Sequence, residues 1–355
     1  MLSALAMRAG AVESLSGRKE ALWYRKGAGA KGEVQCELCP RRCTIPVNES
    51  GFCRARRNYS GTLVSLGYGL PCSINVDPIE KKPFFNVHPA TRSFSLACAG
   101  CNLRCKYCQN WEISQISPLE SRNYLTPVSQ LPAMALGQGC RSVAFTYTEP
   151  TTYFEYMLES AKAARAKGVL AVTHSNGFIN PRPLAELCRH LDAANIDLKG
   201  FSEKFYREVV HASLGEVLET IVEYKRLGIW LELTTLIIPG HNDSDRELEQ
   251  LARFIAEKVG VDTPWHVSQF YPTYRLTDQP RTPLATLRRA RQIGLDTGLR
   301  HVYEGNVPGE GGENTRCPGC GEPLILRQGF HIRENRIRDG KCPSCRMVID
   351  GVEMS

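Results

Sequence analysis

The sequence of 355 residues lacks any long hydrophobic run. No segment approaches the roughly 18 to 20 consecutive apolar residues of a membrane-spanning helix, so we expect no membrane partner. The first seventeen residues contain a short apolar patch, but they include Glu13 and lack the basic start of an export signal. We therefore expect a cytoplasmic protein with a substantial core, built as one large α/β domain with small additions.

Outside the first sixty residues the chain has almost no net charge. The formal net charge is +7, and residues 1–60 alone carry +6, from eleven Lys and Arg against five Asp and Glu. Metal-bound cysteines are anionic and would neutralise part of this excess, so it gives little support for nucleic acid as a partner. An RNA-binding or RNA-modifying role is a second alternative, suggested by arginines near the C-terminus that usually form a solvated face: Arg327, Arg333, Arg336 and Arg338.

Cysteine, in contrast, is abundant. Of the fifteen cysteines, eleven fall into three tight sets, and C-x2-C or C-x3-C spacing in a cytosolic enzyme favours metal sites over disulfides. We interpret the other four as small buried hydrophobic residues: Cys72, Cys98, Cys140 and Cys188.

The central set, Cys101, Cys105 and Cys108, has the spacing C-x3-C-x2-C. Three thiolates can ligate three irons of a 4Fe-4S cluster and leave the fourth iron without a protein ligand, which is what inner-sphere chemistry requires. A zinc knuckle needs a fourth nearby ligand and a ferredoxin uses C-x2-C-x2-C, so the spacing disfavours both. Cys98, three residues upstream, is the alternative fourth ligand.

The other two sets each contain four cysteines. The N-terminal set can close a complete site for zinc or for a second iron-sulfur cluster, and its spacing does not separate the two: Cys36, Cys39, Cys43 and Cys53. The C-terminal set follows the glycine-rich hinge 309–314 with the spacing C-x2-C-x21-C-x2-C. Strand-like segments lie between its two pairs, so it predicts a structural or docking zinc ribbon, with rubredoxin-like iron as the minor alternative: Cys317, Cys320, Cys342 and Cys345.

Between these sets, short apolar strands alternate with helices of about 10 to 17 residues, which indicates a parallel sheet with right-handed crossovers. We predict a partial (β/α)6 TIM-like barrel over 90–308, an N-terminal extension over 1–89 that begins as helix and loosens at 27–32, and a C-terminal module over 309–355. The predicted strands are 93–96, 142–147, 169–173, 194–198, 229–238, 265–270 and 300–303.

Polar side chains recur at the expected carboxyl ends of these strands, where barrels gather their chemistry: Glu149, Asn176, Asp197, Lys199 and His266. Any one of them alone could be a cap or a turn residue. Their joint placement predicts a site.

The cysteine motif with Tyr107 resembles the signature of radical S-adenosylmethionine (SAM) enzymes, and 107–110 resembles their glycyl-radical-enzyme activating branch. The resemblance implies that SAM chelates the open iron and is cleaved reductively to a 5'-deoxyadenosyl radical, which takes hydrogen from a substrate that the sequence does not identify. It also implies an electron donor such as flavodoxin or ferredoxin. The alternative function is an activating enzyme that acts on a glycine of a partner protein.

By the same resemblance, six residues position SAM: Tyr107 against the adenine, Asn176 near the ribose, Asp197 and Lys199 at the methionine portion, His266 in a Pro-Trp-His motif, and Glu149 at the amino group. Activating enzymes carry two glycines before that glutamate, where this chain has Tyr147 and Thr148.

Nearly the whole chain resembles the radical SAM member of the AmmeMemoRadiSam system, on the early Cys-x-Leu-Cys-Pro-x-x-Cys, the Thr-Tyr-x-Glu-Pro-Thr stretch, Gly305–Gly309 and the four-cysteine tail. This resemblance implies Memo-like and AMMECR-like proteins as partners.

Overall fold

The computed structural model describes residues 6–7, 18–27 and 31–355. The chain divides into two compact units. The first consists of Met1–Val76, Ser93–Arg104 and Cys108–Asp192, and the second of Asp77–Arg92, Cys105–Tyr107 and Ala193–Ser355. Among the described residues, no helix combines the length and apolar character needed to cross a membrane.

The first unit combines small antiparallel sheets with the first half of the strand and helix alternation. Strands β8 and β9 lie mostly within it. Its strands are β1 (Ala6–Met7), β2 (Lys19–Glu20), β3 (Tyr24–Lys26), β4 (Val34–Cys36), β5 (Thr44–Ile45), β6 (Arg56–Tyr59), β7 (Thr62–Ser65), β8 (Ser73–Pro78), β9 (Arg92–Ala97), β10 (Asn123–Tyr124), β11 (Cys140–Phe145) and β12 (Leu170–Ser175). Its helices are α1 (Trp111–Ser114), α2 (Leu131–Gly137), α3 (Phe154–Arg165) and α4 (Pro181–Cys188).

The predicted helix at the start of the chain is wrong where the structure describes it. Residues 19–20 and 24–26 are strands, and Tyr24 pairs antiparallel with Cys36. The backbone hydrogen bonds of these residues go to neighbouring strands, and this tertiary pairing overrides a weak local helix preference. The rest of the predicted helix, at 1–5 and 8–17, lies outside the described residues.

Helix α3 shows how the alternation is built. Its buried residues recur at helical spacing, with Phe154, Met157, Ala161 and Ala164 facing the core. The chain leaves the helix through Gly168, whose φ of +71° is the left-handed conformation that glycine adopts most readily at a helix end. Strands β11 and β12, which flank this helix in the chain, pair in parallel, as the sequence predicts.

The second unit continues with β13 (Ala193–Asp197), β14 (Trp230–Ile237), β15 (Trp265–Gln269) and β16 (Val302–Gly305), and each of these strands pairs in parallel with the next. Helices alternate with them: α5 (Glu203–Phe205), α6 (Leu214–Arg226), α7 (Asp245–Phe254) and α8 (Leu284–Asp296). The predicted α/β class with a parallel sheet is confirmed, whereas the barrel stays a prediction.

The C-terminal part of the second unit is a three-stranded antiparallel sheet of β17 (Thr315–Arg316), β18 (Pro323–Gln328) and β19 (His331–Asn335). Its small core includes Cys317 and Cys342 packed with aliphatic side chains. Arg327 is buried, not on a solvated face, and its guanidinium donates to Phe85 O at 2.8 Å, Thr315 Oγ1 at 2.7 Å and Glu313 O at 3.0 Å.

We predict that Arg327→Ala lowers the free energy of unfolding by about 3 kcal/mol or more, because three buried acceptors lose a charged donor. Urea denaturation of the full chain measures the change. The control is Arg333→Ala on β19, where the side chain is exposed and the loss should stay within about 0.5 kcal/mol. Equal losses in the two variants would contradict this prediction.

Candidate functional site

The loop after β9 carries Cys101, Cys105 and Cys108, and none of the three forms a disulfide. Cys101 and Cys108 belong to the first unit and Cys105 to the second. Backbone hydrogen bonds hold the loop within each unit: Gly100 N donates to Ile113 O at 3.0 Å, and Lys106 N donates to Val209 O at 3.0 Å. The loop conformation is therefore set by the main chain around the cysteines.

Two amide groups of the first unit donate toward the sulfur of Cys101. Leu103 N lies 3.3 Å from the Cys101 Sγ atom, and the Asn176 side-chain nitrogen lies 3.8 Å from it. Asn176 also donates to the Asn102 side-chain oxygen at 2.8 Å, and Asn102 donates to Phe178 O at 2.8 Å. N–H groups directed at a ligand sulfur are among the features that hold iron-sulfur clusters and tune their potential.

Glu149 follows β11 and is completely enclosed, with an exposed fraction of 1%. One carboxylate oxygen accepts from Thr151 N at 2.9 Å and from the Ser175 hydroxyl at 2.8 Å, and the other accepts from Asn176 N at 2.8 Å. Burial raises the pKa of Glu149, although the hydrogen bonds from Asn176 and Thr151 oppose the rise. The carboxylate thus fixes the turn after β12 that presents Asn176.

At Tyr147, where the resemblance described above leads us to expect glycine, φ is +70° and lies in the left-handed region. Glycine adopts this conformation without a steric penalty, whereas a tyrosine there is strained. The Asn110 side chain donates to Tyr147 O at 3.0 Å and helps to hold this backbone.

In the second unit, Lys199 follows β13 and pairs with Asp197 at 2.9 Å. Burial alone would lower the pKa of Lys199, but the Asp197 carboxylate, together with Cys105, outweighs it and holds that pKa well above its ordinary value. Tyr107 is buried, its ring stacks on Phe205 with centroids 6.2 Å apart, and the Lys199 ammonium lies 6.0 Å from the ring centroid. The Tyr107 hydroxyl has no hydrogen-bond partner among the described residues.

His266 lies near the beginning of β15, which corrects the expectation that it stands at the carboxyl end of that strand. Its imidazole is buried and contacts the Glu232 carboxylate at 2.6 Å, with Phe85 and Tyr303 packed against the ring. Glu232 also accepts from Phe85 N at 3.1 Å and from Asn86 N at 2.9 Å. The predicted strand, 265–270, starts where β15 starts and runs one residue past its end, so those bounds already placed His266 second in the strand and away from the carboxyl end.

Several residues of these surroundings were not predicted from the sequence. Gln269, at the carboxyl end of β15, is buried with its side-chain oxygen unpartnered among the described residues. The Tyr206 hydroxyl accepts from Lys199 N at 3.1 Å. Glu232 was detectable, since a carboxylate inside the apolar run of β14 is a recognised sign of a buried polar contact.

The four tail cysteines form a compact set within 4.8 Å of one another. The sulfur atoms of Cys317 and Cys345 are 3.5 Å apart, and those of Cys320 and Cys342 are 3.7 Å apart. Tetrahedral zinc with Zn–S bonds of about 2.3 Å places its sulfurs about 3.8 Å apart, so the set fits one zinc ion. The backbone N–H of Cys345 lowers the pKa of Cys342 to about 7, whereas the pKa values of Cys317 and Cys320 are raised, so a metal bound here would displace protons from those thiols.

The sequence profile of the Radical SAM superfamily matches residues 96–255. An uncharacterised protein of Methanocaldococcus jannaschii is 44% identical over 335 residues, which cover 94% of this chain and 99% of that protein. The pyruvate formate-lyase 1-activating enzyme of Escherichia coli K12 is 22% identical, and the match covers 47% of this chain and 71% of that enzyme. The GTP 3',8-cyclase of Aquifex aeolicus is 25% identical, and the match covers 69% of this chain and 78% of that enzyme.

Residues 96–255 belong to the radical SAM superfamily. Members of this superfamily are enzymes that use a 4Fe-4S cluster and SAM and need a reductant. The residues present fit these groups. The three loop cysteines are not in disulfides, and two amide groups donate toward the Cys101 sulfur. The buried Tyr107 hydroxyl has no hydrogen-bond partner among the described residues.

For the tail of this radical SAM protein, we predict that Cys342→Ala removes one equivalent of zinc per chain and lowers the midpoint of thermal unfolding, because a structural zinc site contributes directly to folding. Metal analysis of the purified protein and thermal unfolding measure the two effects. Cys188→Ala, which changes a buried cysteine outside the three sets, is the control and should retain its zinc. Unchanged zinc in Cys342→Ala would rule out the site.

Proposed function

We propose that this radical SAM enzyme cleaves SAM reductively and uses the product to remove a hydrogen atom from a substrate. The observation that carries the proposal is the C-x3-C-x2-C loop after β9, which lies inside the segment that matches the superfamily. Cys101, Cys105 and Cys108 would ligate three irons and leave the fourth for the amino and carboxylate groups of SAM. When bound, the cluster and SAM supply a 5'-deoxyadenosyl radical.

The chain's own residues would bind and orient SAM. Lys199 stays protonated at neutral pH because its pKa lies well above the ordinary value, so it offers a cation to the carboxylate of the methionine portion. Asp197 holds the Lys199 ammonium in place at 2.9 Å. Burial raises the pKa of Tyr107, which keeps its phenol protonated, and its ring offers an apolar face to the adenine.

On the first unit, Glu149 and Asn176 would act together. The Glu149 carboxylate accepts the Asn176 N–H and so fixes the turn that directs the Asn176 amide toward Cys101. The resemblance alone assigns the amino group of SAM to Glu149, because its enclosed carboxylate already accepts from Thr151, Ser175 and Asn176. By the same resemblance, Asn176 lies near the ribose. His266 belongs to the set on the resemblance alone, because its described contacts are with Glu232, Phe85 and Tyr303.

We further propose the partial (β/α)6 barrel over 90–308, flanked by the extension 1–89 and the zinc-ribbon module 309–355. The parallel pairing of β11 with β12 and of β13 through β16 supports the barrel. Membership in the AmmeMemoRadiSam system, with Memo-like and AMMECR-like partners and a flavodoxin or ferredoxin as electron donor, is supported by the motifs shared with that system.

Cys105→Ala should abolish the formation of 5'-deoxyadenosine, since a cluster with two protein ligands is poorly held. The assay mixes reconstituted enzyme with dithionite and SAM under anaerobic conditions and quantifies 5'-deoxyadenosine by chromatography. Cys140→Ala, a buried cysteine outside the three sets, should keep wild-type activity. Undiminished 5'-deoxyadenosine from Cys105→Ala would refute the proposed ligand set.

The similarity to the pyruvate formate-lyase 1-activating enzyme favours a second candidate, the activation of a glycyl radical enzyme. An activating enzyme needs a dedicated glycyl radical enzyme as its partner, and the function proposed above needs none, so we expect no glycyl radical. Electron paramagnetic resonance of the protein mixed with SAM, reductant and extract of its source cells should therefore show no glycyl doublet. The positive control replaces our protein with a pyruvate formate-lyase activating enzyme and its partner. A doublet with our protein would establish the second candidate.

A further inference from the structure

The four N-terminal cysteines line one cavity within the first unit. Its empty space is about 370 Å³, with the solvent at its mouth included. Antiparallel pairing brings the cysteines together: Cys36 ends β4, Cys43 directly precedes β5, and Cys36 N donates to Cys43 O at 2.9 Å. Cys53 enters from the turn before β6. The four cysteines of this short segment thus form a defined ligand set.

The N-terminal cysteines are arranged differently from the tail cysteines. In the part of the chain that the structure describes, the tail is the one group of metal ligands gathered within 4.8 Å, which suits a single ion. The N-terminal sulfurs instead surround a cavity. In a 4Fe-4S cluster each thiolate binds a different iron, so its four sulfurs lie farther apart than the ligands of one zinc ion. The arrangement favours a cluster over zinc.

Two arginines line the same cavity, Arg41 and Arg56. Arg56 is 1% exposed, and only its Nη2 atom is satisfied, by Glu155 at 2.9 Å and by Leu22 O. Its Nε and Nη1 atoms have no hydrogen-bond partner among the described residues. Buried donors rarely stay unsatisfied, and an anionic cluster with acceptor sulfides would satisfy them.

The cavity also reaches the loop of the central cysteines. Asn102 lines the cavity and directly follows Cys101 in the chain. Arg41, which packs over the Phe52 ring at 3.6 Å, donates to Asn102 O at 2.5 Å. A single residue therefore borders both cysteine sets within the first unit.

We propose that Cys36, Cys39, Cys43 and Cys53 ligate a second 4Fe-4S cluster, with Arg41 and Arg56 as its cationic neighbours. Since each iron has a protein thiolate, this cluster has no open position for substrate, and electron transfer is the chemistry left to it. The inference does not rest on the function proposed above, because the ligands, the cavity and the arginines are independent of SAM.

The test uses the full chain with Cys101→Ala, Cys105→Ala and Cys108→Ala combined, so that the central set is removed. After anaerobic reconstitution with iron, sulfide and zinc, we expect about four irons and about four sulfides per chain, with the Mössbauer signature of a 4Fe-4S cluster. Adding Cys53→Ala should reduce the cluster content at least five-fold. Cys72 is a half-buried cysteine of the same unit, and adding Cys72→Ala in place of Cys53→Ala should leave the cluster content unchanged.

A triple variant that holds no cluster, or that takes up about two zinc ions per chain in its place, would overturn the inference. If that variant fails to fold, Mössbauer spectroscopy and iron analysis of the wild-type protein decide instead. About eight irons per chain support the second cluster, and about four contradict it. Loss of 5'-deoxyadenosine formation in Cys105→Ala reports only on the central set, so the two proposals fail separately.

Discussion

A buried thiol keeps its proton unless a cation replaces it, and this constraint governs the N-terminal cysteine set. Burial raises the pKa of Cys53 to about 11 and also raises the pKa values of Cys36 and Cys39. Metal binding at such a site must release those protons, so the metal contributes to folding as well as to chemistry. Arg41 and Arg56 supply part of the positive charge that a buried thiolate needs.

Buried carboxylates perform the complementary task of holding chain segments together. Glu155 accepts from Arg56 at 2.9 Å and from Leu22 N at 2.7 Å, which ties the N-terminal strands to α3 within the first unit. Glu149 joins β11 to the turn after β12, and Glu232 joins β14 to residues 85–86 within the second unit. A carboxylate removed from water needs such donors, and each of these three collects them from distant positions in the sequence.

The tail illustrates how a local motif and a long-range contact combine. The spacing of its cysteines predicts a compact set, and the sulfur distances of 3.5 and 3.7 Å agree with it. The role of Arg327 was not predictable, because its acceptors Phe85, Glu313 and Thr315 come from other segments. A charged residue on a strand is exposed by default, and only the packing of the tail against 85–86 encloses this one.

The sequence by itself determined the class of the fold, the three cysteine sets and the seven strands predicted at β9 and β11 to β16, because hydrophobic period and ligand spacing are local properties. It predicted helix where β2 and β3 form strands, since their pairing partners lie elsewhere in the chain. Only the tertiary structure decided that His266 pairs with Glu232 near the start of β15, that Tyr147 keeps a left-handed turn, and that four cysteines and two arginines share one cavity. Each of these depends on strand register and on contacts between distant segments, which no local pattern encodes.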